Sequence, residues 1–205
     1  MSMLHIKSDF NDYYDVLNSE SCSITYNRYL RESKQRGTAL KYLRNIGIKT
    51  LEIKQVSSFF RDDSPIVVYT DPIAHHGNGK KIMSVDEAQL LYSNYMASKY
   101  YQSDHNITLK FLQIGKRRFT LYFKKEEPIS LNMGKLIDLR ESTPEYNRLI
   151  GIPIFSIDYI SNGNHMIATD FNEVEDLKAL GVDKWLSADT VVTEIIDALA
   201  IYNKY

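Results

Sequence analysis

The chain has 205 residues, 43% of them hydrophobic and 25% charged, with a net charge of −1 and one cysteine. A domain of that length buries roughly 70% of its unfolded surface, so a core forms without staples. The lone Cys22 excludes a disulfide framework and a cysteine-rich zinc site. No run approaches the roughly 18 apolar residues that cross a membrane, and the opening MSMLHIKSDF lacks the apolar stretch of an export signal. Together these point to a reducing cytoplasm.

In chain order, SDFNDYYDVL reads as a short helix started by Ser8 or Asp9, and CSITYNRYL alternates as a strand through Ile24, Tyr26 and Arg28. TALKYLRNIG has helical spacing at Leu40, Leu43 and Ile46, with Gly47 placed to stop it. KTLEIKQV and PIVVYT read as strands. SVDEAQLLYSNYMASKYY is predicted to be one helix, opened by the capping box Ser84–Glu87 and burying Ala88, Leu91, Tyr92, Tyr95 and Met96. NITLKFLQIGKRRFTLYFKK reads as a hairpin turning near Gly115, and IPIFSIDYISNGNHMIAT as a second one turning at Asn162-Gly163. ADTVVTEIIDALAIYNKY closes the chain as an amphipathic helix with Val192, Ile195, Ile196 and Leu199 inward. Helices and hairpins alternate without a βαβ rhythm. The expected architecture is therefore α+β, a single domain over residues 1–205, with a mixed, mostly antiparallel sheet packed against several amphipathic helices.

Charge is unevenly spread. Residues 28–54 hold eight Lys/Arg against two acids, residues 107–125 hold six against none, and residues 170–197 hold eight acids against two lysines. Overall charge thus selects no partner, while local charge allows one.

TDPIAHHGNGKK is the loop richest in reactive groups. It lacks the G-x-x-x-x-G-K-[ST] pattern by which a P-loop converges amides on one phosphate. Lys80, Lys81 and the helix start at Ser84 could still hold an anion, although a solvated loop feeding a capped helix accounts for the same residues. His75 and His76 are the acid/base candidates of an enzyme. As metal ligands they would need Asp71, Asp104, His105 or His165 beside them, and no metal or other cofactor is expected. Lys116, Arg117 and Arg118, flanked by Phe111, Phe119 and Tyr122, make a second candidate: a phosphate-contacting hairpin tip with stacking surfaces. Paired carboxylate chemistry would require Asp12, Asp15, Asp71 and Asp158 to converge.

SDFNDYYDVL followed by ITYNRYLRE resembles the start of a family of uncharacterised proteins of tailed bacteriophages that begin with a DF-x-DYYD element. FLQIGKRRFTLYF is similar to that family's Cys-Gly-Lys-x-Tyr segment, keeping Gly115 and Lys116 but with Ile114 in place of the cysteine. IPIFSIDYI and the stretch from ATDFNEVEDLKALG to the terminal helix resemble its closing pattern. The resemblance implies a phage-encoded protein at work in the host bacterial cytoplasm and brings no catalytic residues with it. The leading expectation is thus a non-catalytic accessory protein that binds a host or phage macromolecule, a protein before a nucleic acid or nucleotide, through Lys80, Lys81, Lys116, Arg117 and Arg118. The alternative is a small enzyme or ligand-binding protein acting on a nucleotide or nucleic acid. Neither expectation involves a membrane.

Overall fold

The computed structural model of the chain describes residues 36–71, 79–127, 129–131, 133–141, 154–163, 165–172 and 180–202; SDFNDYYDVL and CSITYNRYL lie outside them. Helix α1 spans Arg36–Asn45 and ends at Gly47, whose φ of 92° suits only a residue without Cβ. The next stretch forms a two-residue strand, β1 (Lys54–Gln55), rather than the long one expected from KTLEIKQV. Its earlier part instead runs along the edge of a different sheet: Leu51 N donates to Ala168 O and Ala168 N donates to Lys49 O, with Thr50 bridging Ala168 in parallel.

Strand β2 (Ile66–Tyr69) is buried at every position, as its continuous apolar run predicts. Ile66 and Val68 join a core with Val56, Phe59, Val85, Ala88 and Ala97. The alternate residues, Val67 and Tyr69, face the other way. Strand β3 (Lys80–Met83) pairs antiparallel with β2, so the histidine-bearing loop joins two strands rather than a strand and a helix. Helix α2 (Val85–Tyr92) follows at once, and Ser84 Oγ accepts from Glu87 N at 3.2 Å as the capping motif requires.

The long helix expected from Ser84 onward is corrected here. It stops at Tyr92, and Met96–Lys99 form β4, which pairs with β2 on the side opposite β3. The cause is tertiary. A buried strand must find ladder partners on both edges, and Ala97 and Ser98, both fully buried, supply them. Leu91, Tyr95 and Met96, expected in the core, are exposed, whereas Ala88 is buried. The resulting four-stranded sheet has the order β1-β4-β2-β3.

The larger sheet contains both predicted hairpins. Strands β5 (Ile107–Ile114) and β6 (Arg117–Lys124) turn through Gly115 at φ 58°, and β8 (Ile154–Asn162) and β9 (His165–Asn172) turn through Gly163 at φ 59°. Strand β7 (Lys135–Glu141) pairs with β6, giving the order β7-β6-β5-β8-β9, antiparallel throughout. One face is covered by α1, where Tyr42 meets the Phe171 ring at 6.0 Å and Phe155 links Phe171 to Phe111. The C-terminal helix α3 (Ala188–Tyr202) packs near β5 through Val191 and Ile195. Of the residues expected inward, Ile195 is buried, with Val191 beside it in the stripe, whereas Val192 is half-buried and Ile196 is exposed; Leu199 is not among the described side chains. The expected α+β class, antiparallel with hairpins, is the observed one.

Candidate functional site

A cleft lies between the two sheets. Its small-sheet wall is the face of β2 that α2 does not cover, where Val67 and Tyr69 stand beside Ser98 and Lys80, and Lys99 adds to the lining from the end of β4. Its large-sheet wall comes from the start of β5, the middle of β8 and the later part of β9, including Thr108, Asp158 and Asp170. The connection from β4 to β5 closes one side with Tyr100 and Tyr101, and the segment after β6 closes another with Lys125 and Met133. The enclosed part has a volume of about 120 Å³, room for a ligand group well beyond one water.

The small-sheet wall is preorganised. Tyr69 OH and Ser98 Oγ share a buried hydrogen bond of 2.8 Å, which fixes the ring. Lys80 stands opposite Tyr69 in the β2–β3 register, just past Gly79, whose carbonyl accepts from Thr70 N and Asp71 N. Successive strand residues point to opposite faces. Accordingly Lys80 is half-buried in the cleft and Lys81 is exposed on the far side. There Lys81 Nζ donates to Tyr92 OH at 2.6 Å, a contact that raises the lysine's pKa.

The large-sheet wall carries charge in a row. Lys110 on β5 stands opposite Asp158 on β8, and Asp158 stands opposite Asp170 on β9. Directly paired residues share one face of a sheet, so three charged side chains from three strands lie side by side. Lys110 is 2% exposed; its Nζ lies 2.7 Å from Asp158 Oδ1 and donates to Ser156 Oγ at 3.2 Å. Asp170 Oδ1 accepts from Phe171 N at 3.1 Å, which holds that carboxylate in place. At the cleft's end Lys125 is buried, its Nζ donating to Ser130 O at 2.8 Å, and burial pushes its pKa down. Burial also raises the Tyr100 pKa, keeping that hydroxyl protonated as a donor.

Of the residues expected at a site, Lys80 and Asp158 reach this cleft. His75 and His76 lie outside the described residues, as do Asp12 and Asp15. Asp71 is exposed, and Asp104, His105 and His165 lie elsewhere; no group of three or more His, Cys, Asp or Glu side chains gathers among the described residues. The hairpin tip lies at the other end of β5, about 20 Å away at 3.3 Å per residue, and its two arginine side chains are engaged there. Arg117 Nε and Nη2 make a bidentate pair with Glu141 at 2.9 and 3.1 Å, Arg118 Nε donates to Gln113 Oε1, and Lys116 N donates to Glu194 Oε2. Lys110, Lys125 and Asp170 carry no local motif; strand register and the fold of the following loop bring them in. No helix among the described residues is long and apolar enough to cross a membrane.

No protein-family model and no curated sequence matches the chain. Solved structures do. The D-alanine–D-alanine ligase of Bacillus anthracis complexed with ATP aligns with a TM-score of 0.51 at 13% identity, over 84% of this chain and 66% of the ligase. A macrocyclase of Microcystis aeruginosa bound with its precursor peptide aligns at 0.52 and 14%, over 83% and 60%. An L-amino acid ligase of Bacillus licheniformis aligns at 0.55 and 14%, over 90% and 51%. The shared fold is ATP-grasp-like. The chain spans between about half and two thirds of the length of these proteins. This likeness overturns the leading expectation of a non-catalytic accessory protein and favours the nucleotide-directed alternative.

Proposed function

We propose that the chain is a nucleotide-using enzyme that binds ATP in the cleft between its two sheets and uses it to join a carboxylate to an amine. The carrying observation is the composition of the cleft, with a lysine behind a glycine on one wall and two adjacent carboxylates on the other. Function does not follow from fold alone, and the ligase chemistry is taken by analogy from the solved structures sharing the fold. Action in a host bacterial cytoplasm belongs to the same reading, by the resemblance to phage proteins.

Lys80 offers three N–H donors and a positive charge to phosphate oxygens. The backbone around Gly79 can approach a phosphate closely because no Cβ intervenes. Asp158 and Asp170 supply hard oxygen donors at neighbouring positions on one face. Two carboxylates are too few for an all-protein metal cage but suit a magnesium ion shared with nucleotide phosphates. When bound, that ion neutralises phosphate charge and polarises the transferred phosphoryl group. Tyr100 and Tyr101, on the connection between the sheets, give the cleft aromatic surface for a base.

The test is equilibrium binding of ATP to the full chain with and without magnesium. Binding that strengthens with magnesium, and loses that gain in Asp158→Asn and Asp170→Asn, is expected. No binding at millimolar ATP would remove the reading.

A further inference from the structure

The ion pair between Lys110 and Asp158 is an unusual thing to keep in a sheet. Taking both charges out of water costs several kcal/mol per ion, and well-packed apolar replacements are often as stable or more so. Lys110's side chain is 3% exposed and Asp158's 19%. Within the carboxylate the two oxygens are unequal. Oδ1 is sealed from solvent, 2.7 Å from Lys110 Nζ yet without a well-directed hydrogen bond, so its hold on the lysine is electrostatic. The exposure that remains belongs to the rest of the side chain, and Asp158 lines the cleft. The ammonium is itself fixed: Ser156, fully buried two residues before Asp158 on the same strand and face, accepts from it at 3.2 Å.

We propose that Lys110, braced by Ser156, is a positioning residue that seals one oxygen of Asp158 and turns the other toward the cation of a bound nucleotide. This rests on the reading of the cleft as a nucleotide site. The arrangement answers a geometric problem of strand-borne carboxylates. An aspartate side chain flanked by Asp170 would otherwise rotate away from a like charge, and a cation on the opposite flank pulls it back. Partners behind a metal-binding carboxylate typically govern affinity by about 10–100-fold.

The experiment titrates Mn2+ into the full chain at saturating ADP, following free Mn2+ by electron paramagnetic resonance, with ADP affinity in chelator and melting temperature measured alongside. The variants are Asp158→Asn, Lys110→Arg and Ser156→Ala. Lys110→Arg keeps the charge but replaces a point ammonium by a planar fork; Ser156→Ala keeps the lysine and removes its brace. Lys110→Arg and Ser156→Ala should each bind Mn2+ about tenfold more weakly, with metal-free ADP affinity unchanged and melting within a few degrees of the parent. Should Lys110→Arg fail to fold, or the two disagree, Ser156→Ala decides. Parent-like Mn2+ affinity in Ser156→Ala and Lys110→Arg, with Asp158→Asn weakened, overturns the positioning role and leaves the nucleotide site standing. A parent chain that holds no Mn2+ with ADP, or an Asp158→Asn variant that holds it equally well, overturns both.

Discussion

Gly115, at the tip of the β5–β6 hairpin, backs directly onto the main-chain carbonyl of Glu194 in helix α3, so that any Cβ placed on it would collide with that group. It also sits at φ 58°, in the left-handed region. The tip is therefore a packing element that seats the C-terminal helix, and the adjacent Lys116 N–H completes the contact by donating to Glu194 Oε2. Gly115→Ala meets both penalties at once. A left-handed alanine costs about 1–2 kcal/mol before any clash, so the loss should reach about 2 kcal/mol or more, read as a lower denaturation midpoint in urea. Parent-like stability would mean that hairpin and helix do not meet in solution.

The Arg117–Glu141 pair predicts a small acid limb. The hydrogen bond from Arg117 holds the Glu141 carboxyl below its usual range against the opposing effect of burial, and the arginine's charge adds to it. A depressed carboxylate contributes stability that is present above its unfolded pKa, about 4.3, and is lost as pH falls through the folded value. Glu141 is 57% exposed, so solvent and salt screen the pair and its worth stays below about 1 kcal/mol. Glu141→Gln should melt slightly below the parent at pH 7, by less than about 1 kcal/mol, and the difference should vanish as pH falls below about 4.3. An identical acid limb in the variant would assign that limb to other carboxylates.

Lys125 works in the opposite sense. Burial lowers its pKa, because the protein interior disfavours the ammonium form. The unfolded chain then binds the proton more tightly than the folded one, so stability rises as pH climbs through the folded value toward the unfolded one of about 10.4. Replacing the residue with methionine removes the titrating group while keeping much of its bulk. Lys125→Met should melt no lower than the parent at pH 7, and its advantage should shrink as pH approaches about 10.4. An advantage independent of pH would show that the lysine is solvated in the folded protein.

How far the sequence reveals this molecule depends on whether a feature is local. Both hairpins and the β2 run were legible, since period-2 alternation, a glycine at positive φ and four consecutive apolar residues are signals carried within a few positions. The stretch from Ser93 to Lys99 was not: its residues tolerate a helix, and β2's need for a second ladder partner makes Met96–Lys99 a strand. Strand β7 also escaped, because its alternation is blurred by charges at an edge. At the site, Lys80 stood out through the glycines before it. The row Lys110, Asp158 and Asp170 is created by register between strands distant in sequence, and no spacing rule announces it. The basic hairpin tip drew attention for its charge alone, whereas its arginines are engaged with Glu141 and Gln113.

That contrast yields the sharpest test of where phosphate binds. Lys80 and Lys81 are adjacent, equally charged and on opposite faces of β3: one lines the cleft, the other is bonded to Tyr92 on the outside. A lysine contacting a phosphate contributes about 1.5–3 kcal/mol, which corresponds to roughly 10–100-fold in affinity. Lys80→Ala should therefore weaken ADP binding by at least about tenfold, while Lys81→Ala changes it by less than about twofold. Reversing Arg117 and Arg118 to glutamate should leave ADP affinity unchanged at physiological salt, where charges about 20 Å from the cleft lie beyond the roughly 8 Å screening length. The three variants share one calorimetric titration, and charge alone predicts equal losses for the two lysines. Equal losses, or a loss confined to the hairpin-tip variant, would move the anion site out of the cleft. A loss confined to Lys80→Ala ties phosphate recognition to the wall where β2 and β3 face the large sheet.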